Sequence, residues 1–439
     1  MALTRRSLLG AGTAALAAPA LLTGCGSSSS DELVFWNFYA PNPAPGDPNA
    51  EAQSKWFEDM VAAWNKENKK KIRLEYVTIL GTPKLATAFA ANEGPDIFLI
   101  SPGDILRYYN AGVLTDLTPY LSREAIDDFF PHNMATRIMN DRVYALPMEI
   151  EPLAMFYSTK VMEKAHVSEA ELPKTWDDML ALGEKLKAAK LPPIVFCAAP
   201  GYYQNFTWYP WMWQGGGDAV SSNGKRSTFD SRAAVDALNL YRQTIDRGVS
   251  PRVEPAGADG GAALMEGYAA AYHTGIWTVA EIRHRNPKFE YGVFAPPIPP
   301  GGTPKTVLGG WAFVANSRGK DPETAARFCA WAIGSMSKDS INRVVDWCTN
   351  AKSDVAPRRS ALAAGTASGG YDDPVMKQFK DEIFPTGRGE PRYPPVVYKA
   401  ISDAIQACQL TNADPAQQAE LASAQIDAYL ESYQGAKIL

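Results

Sequence analysis

The sequence predicts an α/β fold, because short apolar strands alternate with amphipathic helices from residue 33 onward. The segment 33–36 (LVFW) has the pattern of a buried strand, and aromatic residues recur at helical spacing over 51–65. Residues 72–76 alternate between apolar and polar side chains, and the stretch at 96–100, apolar after Asp96, has the pattern of a strand buried on both faces. This βαβ order predicts parallel pairing with right-handed crossovers.

The same alternation continues through the middle of the chain. Further strands are predicted at 143–146, 153–157, 194–199, 269–273, 291–295 and 311–315, and further helices at 174–186, 232–246 and from 321. The proline-rich segment 295–304 predicts a turn between two strands. A chain of 439 residues is long enough for two domains or for one large α/β unit.

The N-terminus has the order of features found in an export signal. Arg5 and Arg6 precede an uncharged apolar stretch at 10–22, which is shorter than the ~20 residues that span a bilayer. Residues 22–25 (LTGC) resemble the lipobox of bacterial lipoproteins, and the paired arginines resemble a twin-arginine signal. We therefore predict a signal peptide at 1–24, a lipid on Cys25 and a flexible tether over 25–32. The alternative is an ordinary secretory signal with a chance cysteine.

The predicted lipid places the protein outside the cytoplasm, anchored to the outer face of the cell membrane through the lipid alone. A net charge of −5 and a pI near 5.6 argue against a nucleic-acid partner. Four other cysteines, 197, 329, 348 and 408, permit three full disulfide pairings in an exported protein. The Cys329–Cys348 pair is the first to test. The cysteines form no CxxC motif, and we predict no metal site.

Six segments, taken in order along the chain, resemble a known family. They are LVFWNF, GPDIFLISPGDILRYYNAGVLTDLTPYL, YALPMEIEPLAMFYSTKVM, KTWDDMLALGEKLK, ALMEGYAAAYHTGIWTVAEI and TVLGGWAFVANSRGKDPETAARFCAWA. Together they resemble the extracytoplasmic solute-binding proteins of ABC importers, in the carbohydrate-binding group (bacterial extracellular solute-binding protein family 1).

The resemblance implies a two-lobed periplasmic-binding-protein type II fold. Each lobe would be a mainly parallel sheet flanked by helices, with a ligand cleft between the lobes and a first crossing at 147–151. The implied N-terminal lobe is 33–149 plus about 278–330, and the C-terminal lobe is 150–277 plus about 331–439. The implied function is capture of a sugar by hinge closure and delivery to the permease transmembrane subunits, with the ATPase subunit involved only indirectly. The protein would be a monomer without cofactor or enzymatic activity.

Aromatic residues supply the candidates that would cover the apolar face of a sugar ring. The densest aromatic stretch is 205–213, where Trp208 and Trp211 are candidates on a predicted loop and the alternative is core packing. Trp277 follows a glycine after a strand, and Trp311 follows Gly310 before one. By the resemblance, both tryptophans match ligand-stacking positions.

Polar candidates for the sugar hydroxyls lie mostly at strand ends. Asn37 follows the first strand, and Ser101 and Asp104 follow the strand at 96–100. By the resemblance, Glu151 matches an acidic position near the hinge that often bonds sugar hydroxyls. Two further candidates for the site are Asp218 and Arg358.

The rival interpretation is a secreted glycosidase that uses Glu149 and Glu151, since two carboxylates ~5–9.5 Å apart can act as acid and base across a sugar. However, two side chains on one strand face approach a substrate from the same side. The sequence also has no HExxH, GxSxG or GxxxxGK[ST] motif. A third class, a structural envelope lipoprotein, would not need tryptophans beside glycines. The sequence favours a binding protein and leaves its cargo open among mono-, di- and oligosaccharides, polyols and glycerol phosphate esters.

Overall fold

The computed structural model describes residues 31–78, 83–254 and 260–438, so the predicted signal peptide and Cys25 lie outside the described residues. The strands are β1 (Leu33–Asn37), β2 (Ile72–Tyr76), β3 (Ile97–Ile100), β4 (Ile138–Met139), β5 (Arg142–Val143), β6 (Leu146–Pro147), β7 (Glu151–Ser158), β8 (Ile194–Val195), β9 (Ala271–Gly275), β10 (Tyr291–Phe294), β11 (Thr306–Gly309), β12 (Ala312–Ala315) and β13 (Gly387–Gly389).

The α-helices are α1 (Pro48–Glu67), α2 (Pro83–Ala90), α3 (Ile105–Asn110), α4 (Arg123–Asp128), α5 (Pro131–Met134), α6 (Thr159–Lys164), α7 (Trp176–Ala188), α8 (Tyr202–Gln214), α9 (Arg232–Asp246), α10 (Gly260–Met265), α11 (Thr278–Arg285), α12 (Pro322–Cys329), α13 (Lys338–Asp346), α14 (Arg359–Ala367), α15 (Pro374–Gln378), α16 (Pro395–Thr411) and α17 (Pro415–Leu430). Short 3₁₀ and π turns link several of them. The α/β alternation predicted from the sequence is confirmed.

The first sheet has the strand order β2-β1-β3-β12-β6. The strands β2, β1 and β3 are parallel, as the βαβ pattern predicted, with Leu33 opposite Ile72. The strand β12 runs antiparallel to both β3 and β6. Apolar side chains alternate between the faces of this sheet: Phe313 packs beneath α1 and α12, whereas Val314 packs on the side of α2 and α3.

The second sheet has the order β13-β11-β7-β9-β8, and β10 also pairs with β7. The strand β7 is antiparallel to β9, β10 and β11, so the expectation of a mainly parallel sheet is wrong for this lobe. The antiparallel pairing follows from the chain direction, because β7 begins at the crossing between the sheets whereas β9 and β11 end there. Residues of β7 alternate between a core beneath α8, α9 and α16 and a second core beneath α10 and α15.

The sheet pairing also corrects two boundaries of the predicted lobes. Residues 291–309, expected in the N-terminal lobe from about 278, supply two strands to the second sheet. Residues 338–361, expected in the C-terminal lobe, pack into the core of the first sheet through Trp347 and its neighbours. The physical reason is that the apolar faces of these segments are buried against the other sheet.

Within the described residues, three segments cross between the two sheets. Residues 147–151 link β6 to β7, and residues 309–312 link β11 to β12. The third crossing lies at 351–356, where Ile150 and Val355 exchange two backbone hydrogen bonds of 2.8 and 3.2 Å.

Two further predictions can be compared with the described residues. Cys197, Cys329, Cys348 and Cys408 are all buried free thiols, so the Cys329–Cys348 disulfide is not formed. No helix within 31–78, 83–254 or 260–438 is both long enough and apolar enough to cross a bilayer.

Candidate functional site

The candidate site lies where the strand ends of both sheets meet the three crossings. Gly309 at the end of β11 pairs with Glu151, and Gly275 at the end of β9 pairs with Leu153, so both ends reach the same edge of the second sheet. In the first sheet, Ala312 is opposite Ile100, which places Trp311 beside the segment that follows β3. Carboxyl ends of strands in open α/β sheets are where ligand crevices form.

A buried charged cluster occupies the crossings, and we call Glu149, Glu151, Lys352 and Asp354 the hinge cluster. The ammonium of Lys352 lies 3.2 Å from Glu149 Oε1 and 3.4 Å from Asp354 Oδ2, and it also forms an ion pair with Glu151. The four residues are at most 6% exposed. The cluster therefore joins two of the three crossings through one cation.

Burial controls the protonation of the hinge cluster. It raises the pKa of Glu151 to about 7; the charge of Lys352 opposes this shift and Glu149 adds to it. Burial likewise raises the pKa of Asp354, again against the charge of Lys352. Burial alone would lower the pKa of Lys352, but the three carboxylates outweigh it and raise that pKa above its ordinary value. Lys352 is therefore a permanent cation.

The hinge cluster has the ligand types of a metal site, but the ammonium of Lys352 already supplies the cation. One carboxylate oxygen from each of Glu149, Glu151 and Asp354 lies within 4.8 Å of the others. The ammonium of Lys352 is ion-paired with all three carboxylates. A second cation there would face direct repulsion, so these residues do not fit a metal.

Trp311 is held at the crossing through its backbone. Its N–H donates to Glu149 Oε1 at 2.9 Å, and the indole of Trp347 donates to the other oxygen of the same carboxylate. Gly310 has φ +117°, and a Cβ there would overlap the carbonyl oxygen of Glu149, which makes glycine necessary. The ring of Trp311 is partly exposed and contacts Phe38 edge-on, with centroids 4.8 Å apart.

A second partly exposed tryptophan lies at the edge of the second sheet. The ring of Trp277 covers Gly275, where any Cβ would overlap it. Tyr203 is 36% exposed and lies with its ring centroid 6.2 Å from that of Trp277. Both predicted tryptophans beside glycines thus keep accessible ring surface at the edges where the lobes meet.

A third group consists of Glu390, Tyr202 and Tyr398 of the second lobe, which we call the tyrosine–glutamate cluster. The Tyr202 hydroxyl donates to Glu390 at 2.6 Å, and the Tyr398 hydroxyl donates to it at 3.3 Å. Burial raises the pKa of Glu390 to about 8, although Tyr202 and Arg137 act to lower it. The carboxyl is therefore largely protonated at neutral pH.

The predicted residues Ser101 and Asp104 flank the segment of the first lobe that faces this cluster. A Cβ at Gly103 would lie 2.7 Å from both Glu390 Oε1 and the Tyr202 ring, and would overlap the Tyr398 hydroxyl. Burial raises the pKa of Asp104 despite Arg107, whose guanidinium lies 3.7 Å away.

Asn37, predicted at the end of β1, is 1% exposed and has a structural task. Its side-chain oxygen accepts hydrogen bonds from the backbone N–H groups of Tyr39 at 2.9 Å and Ala40 at 2.7 Å. These bonds fix the turn that carries Phe38 toward Trp311. Its amide nitrogen is buried without a hydrogen-bond partner among the described residues.

The prediction of an aromatic loop over 205–213 is wrong. These residues form most of α8 and are all buried, and Trp208 and Trp211 are both 0% exposed. Trp208 packs on Phe229, and Trp211 packs on Phe196 in the core of the second lobe. Neither ring has a face available to a ligand.

Two polar candidates lie in structural ion pairs outside the site. Arg358 is fully buried, donates to Asp128 at 2.8 Å, and donates to the carbonyl oxygens of Ile333 and Ser335. Asp218 accepts from Arg388 at 2.5 Å and from the hydroxyl of Tyr393 at 2.9 Å. The guanidinium of Arg358 and the carboxylate of Asp218 therefore already have hydrogen-bond partners within the protein.

Several residues of the site were not singled out from the sequence. For Lys352 and Asp354, the available signal was their i, i+2 spacing, the same spacing that marked Glu149 and Glu151. Ser353 between them has φ +61°, so this segment is not an extended strand and the spacing alone did not place both side chains on one face. Glu390 and Tyr398 carry no local signal, because only the fold brings them opposite Gly103.

The geometry does not fit the glycosidase alternative. Glu149 and Glu151 converge on the same ammonium with oxygens less than 5 Å apart, and both are buried. Acid and base groups must instead lie on opposite sides of the scissile bond.

Comparison with known proteins supports a binding protein of the same architecture. Residues 48–338 match the bacterial extracellular solute-binding protein family. A putative binding protein of Brucella abortus is 25% identical over 61% of this chain, and the match spans 66% of that relative's length. The diacetylchitobiose binding protein of Streptomyces coelicolor is 25% identical over 71% of this chain and 75% of its own.

Solved structures share the fold at lower identity. A solute-binding protein of Thermotoga lettingae, bound with α-D-tagatose, superposes with a TM-score of 0.77 at 20% identity, covering 91% of this chain and all of its own. The cyclic α-maltosyl-1,6-maltose binding protein of Arthrobacter globiformis superposes with a TM-score of 0.73 at 20% identity, and the match covers 92% of this chain and 99% of that protein's chain. Because the family match covers well over half of the sequence, the chain belongs to the bacterial extracellular solute-binding protein family.

Proposed function

We propose that the protein is the substrate-binding component of an ABC import system and that it captures a sugar or oligosaccharide outside the membrane. The observation that carries this proposal is the pair of partly exposed tryptophans, Trp277 and Trp311. Each lies beside a glycine at a strand end. The Trp311 N–H donates to Glu149 of the hinge cluster, and Gly275 beneath Trp277 is opposite Leu153, two residues after Glu151. Aromatic rings cover apolar sugar faces, and polar groups nearby accept sugar hydroxyls. Several relatives carry names of sugar-binding proteins, including a maltodextrin-binding protein of Bacillus subtilis that is 25% identical.

The proposed mechanism is hinge closure at the three crossings. A sugar that contacts Trp311 on one side and Trp277 on the other favours the closed arrangement by its additional contacts in that state. The permease transmembrane subunits then recognise the closed monomer, and the ATPase subunit acts only through them. No catalytic residue and no cofactor takes part.

The experiment is ligand binding by the purified protein and two tryptophan variants. A thermal-shift screen of mono-, di- and oligosaccharides, amino sugars, polyols and glycerol phosphodiesters identifies the ligand, since a ligand of the native state raises Tm. Trp311→Ala should then weaken binding at least tenfold in calorimetry. Trp331→Ala is the matched control, because this partly exposed ring packs on Trp64, away from the crossings.

Two outcomes would contradict the proposal. Unchanged affinity in Trp311→Ala would remove this ring from the site. Hydrolysis of the bound sugar would show an enzyme, and repetition with Glu149→Gln and Glu151→Gln would then test the glycosidase alternative.

The location of the protein is part of the proposal. Cys25, at the end of the LTGC segment, would carry the lipid that holds the chain at the outer face of the cell membrane. Cys25→Ser should release the protein from the membrane fraction. Retention of this variant in that fraction would refute a lipid anchor at Cys25.

A further inference from the structure

A groove of the second lobe lies away from the three crossings, and we call it the β10 groove because all four residues of β10 line it. Its volume is about 610 Å³, which is within the range of pockets that bind ligands. Its wall includes Tyr157, which is six residues along β7 from Glu151. At ~3.3 Å per residue, roughly 20 Å separates this wall from the hinge cluster. The groove is therefore distinct from the candidate sugar site.

One wall of the β10 groove is the outer edge of a strand. The strand β10 pairs with β7 alone, with Tyr291 opposite Ser158. The pairing continues to Glu290, whose carbonyl oxygen accepts a hydrogen bond from the Thr159 N–H at 3.3 Å. Opposite residues in an antiparallel pair are alternately hydrogen-bonded and not hydrogen-bonded. Tyr291 and Val293 therefore turn their N–H and C=O groups away from β7.

The outer edge of β10 has no neighbouring strand among the described residues. The strands β10 and β11 lie end to end along one edge of β7. The strand β13 covers the outer edge of β11 but does not pair with β10. Within 31–78, 83–254 and 260–438, no backbone group bonds to the outward N–H or C=O groups of Tyr291 and Val293. The groove therefore occupies the position of a missing strand, and such an edge is a template for another chain.

Apolar side chains flank this edge on both faces of the sheet. On one face, Tyr157 and Phe294 belong to the core beneath α8 and α9. On the other face, Val293 belongs to the core beneath α10 and α15, and Tyr291 and Val375 pack against that core. All five side chains line the groove. Because the side chains of an extended strand alternate between two faces, a peptide beside β10 would bury one set against each of these walls.

Carboxylates lie on both sides of the β10 groove. Burial raises the pKa of Tyr157, and the charge of Glu169, which lines the groove, adds to this shift. Burial also raises the pKa of Tyr291, and the charge of Asp373 adds to it, although a nearby arginine opposes the shift. Lys174 lines the groove as well. Two carboxylates against this one ammonium favour a ligand with positive charge.

We propose that the β10 groove binds an extended basic segment of a partner protein, which adds to the second sheet as a strand beside β10. Backbone hydrogen bonds to Tyr291 and Val293 supply affinity, and the walls select apolar side chains on both faces of the added strand. The proposal goes beyond sugar capture. Every residue that lines the groove belongs to the second lobe, so the site does not require contact between the lobes.

The test begins with a phage-displayed library of random heptapeptides selected on the purified protein. The enriched peptides are synthesised, and fluorescence anisotropy measures their Kd for the wild type and for Val293→Pro. Proline is tolerated in an edge strand where its nitrogen faces outward, so this variant removes the outward N–H and keeps the hydrogen bonds to β7. We expect basic peptides that bind Val293→Pro at least tenfold more weakly. No enrichment on the wild type, or equal affinity in folded Val293→Pro, would overturn the proposal.

Methylation of single peptide nitrogen atoms tests the strand geometry without changing the protein. In a strand beside β10, only alternate residues point their N–H groups toward that edge. N-methylation at those positions should weaken binding at least tenfold, and N-methylation at the positions between them should change Kd less than twofold. An effect that does not alternate along the peptide would overturn strand addition.

Charge reversal covers the case in which Val293→Pro does not fold. Glu169→Arg, at an exposed residue of the groove, should weaken binding of the basic peptides at least fivefold. Glu420→Arg is the matched control, because this exposed glutamate lies in α17 and does not line the groove. Equal Kd values in the two variants would refute recognition of a basic segment.

Two other occupants of the groove would give different results. Displacement of the peptide by a sugar, if it persists in Trp311→Ala, would identify a second saccharide site. A dimer in sedimentation that Val293→Pro abolishes would identify pairing between two copies of this chain. Either result would overturn the proposal and leave the proposed function in place. Sugar affinity should be unchanged in Val293→Pro, so a failure of the proposed function would appear separately in the sugar screen.

Discussion

Replacement of Lys352 by methionine tests whether one buried cation holds the crossings together. The ammonium lies 3.2 Å from Glu149 and 3.4 Å from Asp354 and also pairs with Glu151, at 4% exposure. With an effective dielectric constant near 20, each contact at this distance corresponds to an attraction of about 5 kcal/mol, much of which is offset by the desolvation of both ions. Methionine has a similar length and no charge, so the three carboxylates lose their common partner.

The expected cost is about 3–5 kcal/mol of unfolding free energy at pH 7.5, the range for removing one member of a buried ion pair. With an unfolding entropy of about 2.1 cal/mol/K per residue, a cooperative unit of roughly 400 residues would lose about 4–6 °C in Tm. The loss should be smaller at pH 5, because the carboxyl groups then take up protons and no longer repel one another. Urea denaturation followed by circular dichroism at pH 7.5 and at pH 5 measures the loss of unfolding free energy at each pH.

The control is Lys399→Met. Both side chains of the Lys399–Asp403 ion pair are exposed, so this variant should change the unfolding free energy by less than about 0.5 kcal/mol. If Lys352→Met costs under 1 kcal/mol of unfolding free energy, or costs the same at pH 5 and pH 7.5, the hinge cluster does not depend on this cation. Lys352→Met/Asp354→Asn should recover part of the stability, since it removes one of the unpaired charges.

Three further predictions follow from burial and backbone geometry. Trp208→Ala should destabilise the protein by about 3–5 kcal/mol in urea denaturation, because it empties a fully buried site, and should leave the affinity per folded molecule unchanged; a specific loss of affinity would return this ring to the site. Because burial raises the pKa of Glu390 from 4.5 to about 8, its contribution to stability is complete below pH 4.5 and is lost as the pH rises through 8. Glu390→Gln should therefore flatten the decline of Tm between pH 5 and pH 8.5, and a profile as steep as that of the wild type would contradict this. Gly310→Ala should cost at least about 1–3 kcal/mol in the same denaturation experiment, since it strains φ and overlaps Glu149; a neutral effect would show that this turn can relax.

Much of the fold was predictable because local patterns carried it. The strands β1, β2 and β3 each lie within a residue or two of the segments that periodicity marked, and their parallel pairing followed from the helices between them. The direction of β7 was not predictable in this way. A run buried on both faces looks the same in either orientation, and its antiparallel pairing is fixed by where the chain enters and leaves the second lobe.

The same distinction explains the outcome for the site. Trp277 and Trp311 were marked by nearby glycines, a local signal, and the structure leaves both rings partly exposed, Trp311 at a crossing and Trp277 after the end of β9. Trp208 and Trp211 were marked by aromatic density, which is equally typical of a helix buried on all sides. Arg358 was a candidate for the site from the sequence, and only its burial against Asp128 revealed its structural role.

The sequence by itself determined the α/β class, the family and the glycine-flanked tryptophans, because these depend on residue order and on neighbours within a few positions. The hinge cluster and the contact of Gly103 with the tyrosine–glutamate cluster depend on tertiary structure. Lys352 meets Glu149 and Glu151 across about 200 residues of sequence, and Gly103 meets Glu390 across still more. Such pairs are set by how two sheets and three crossings pack, and no local pattern of side chains specifies that arrangement.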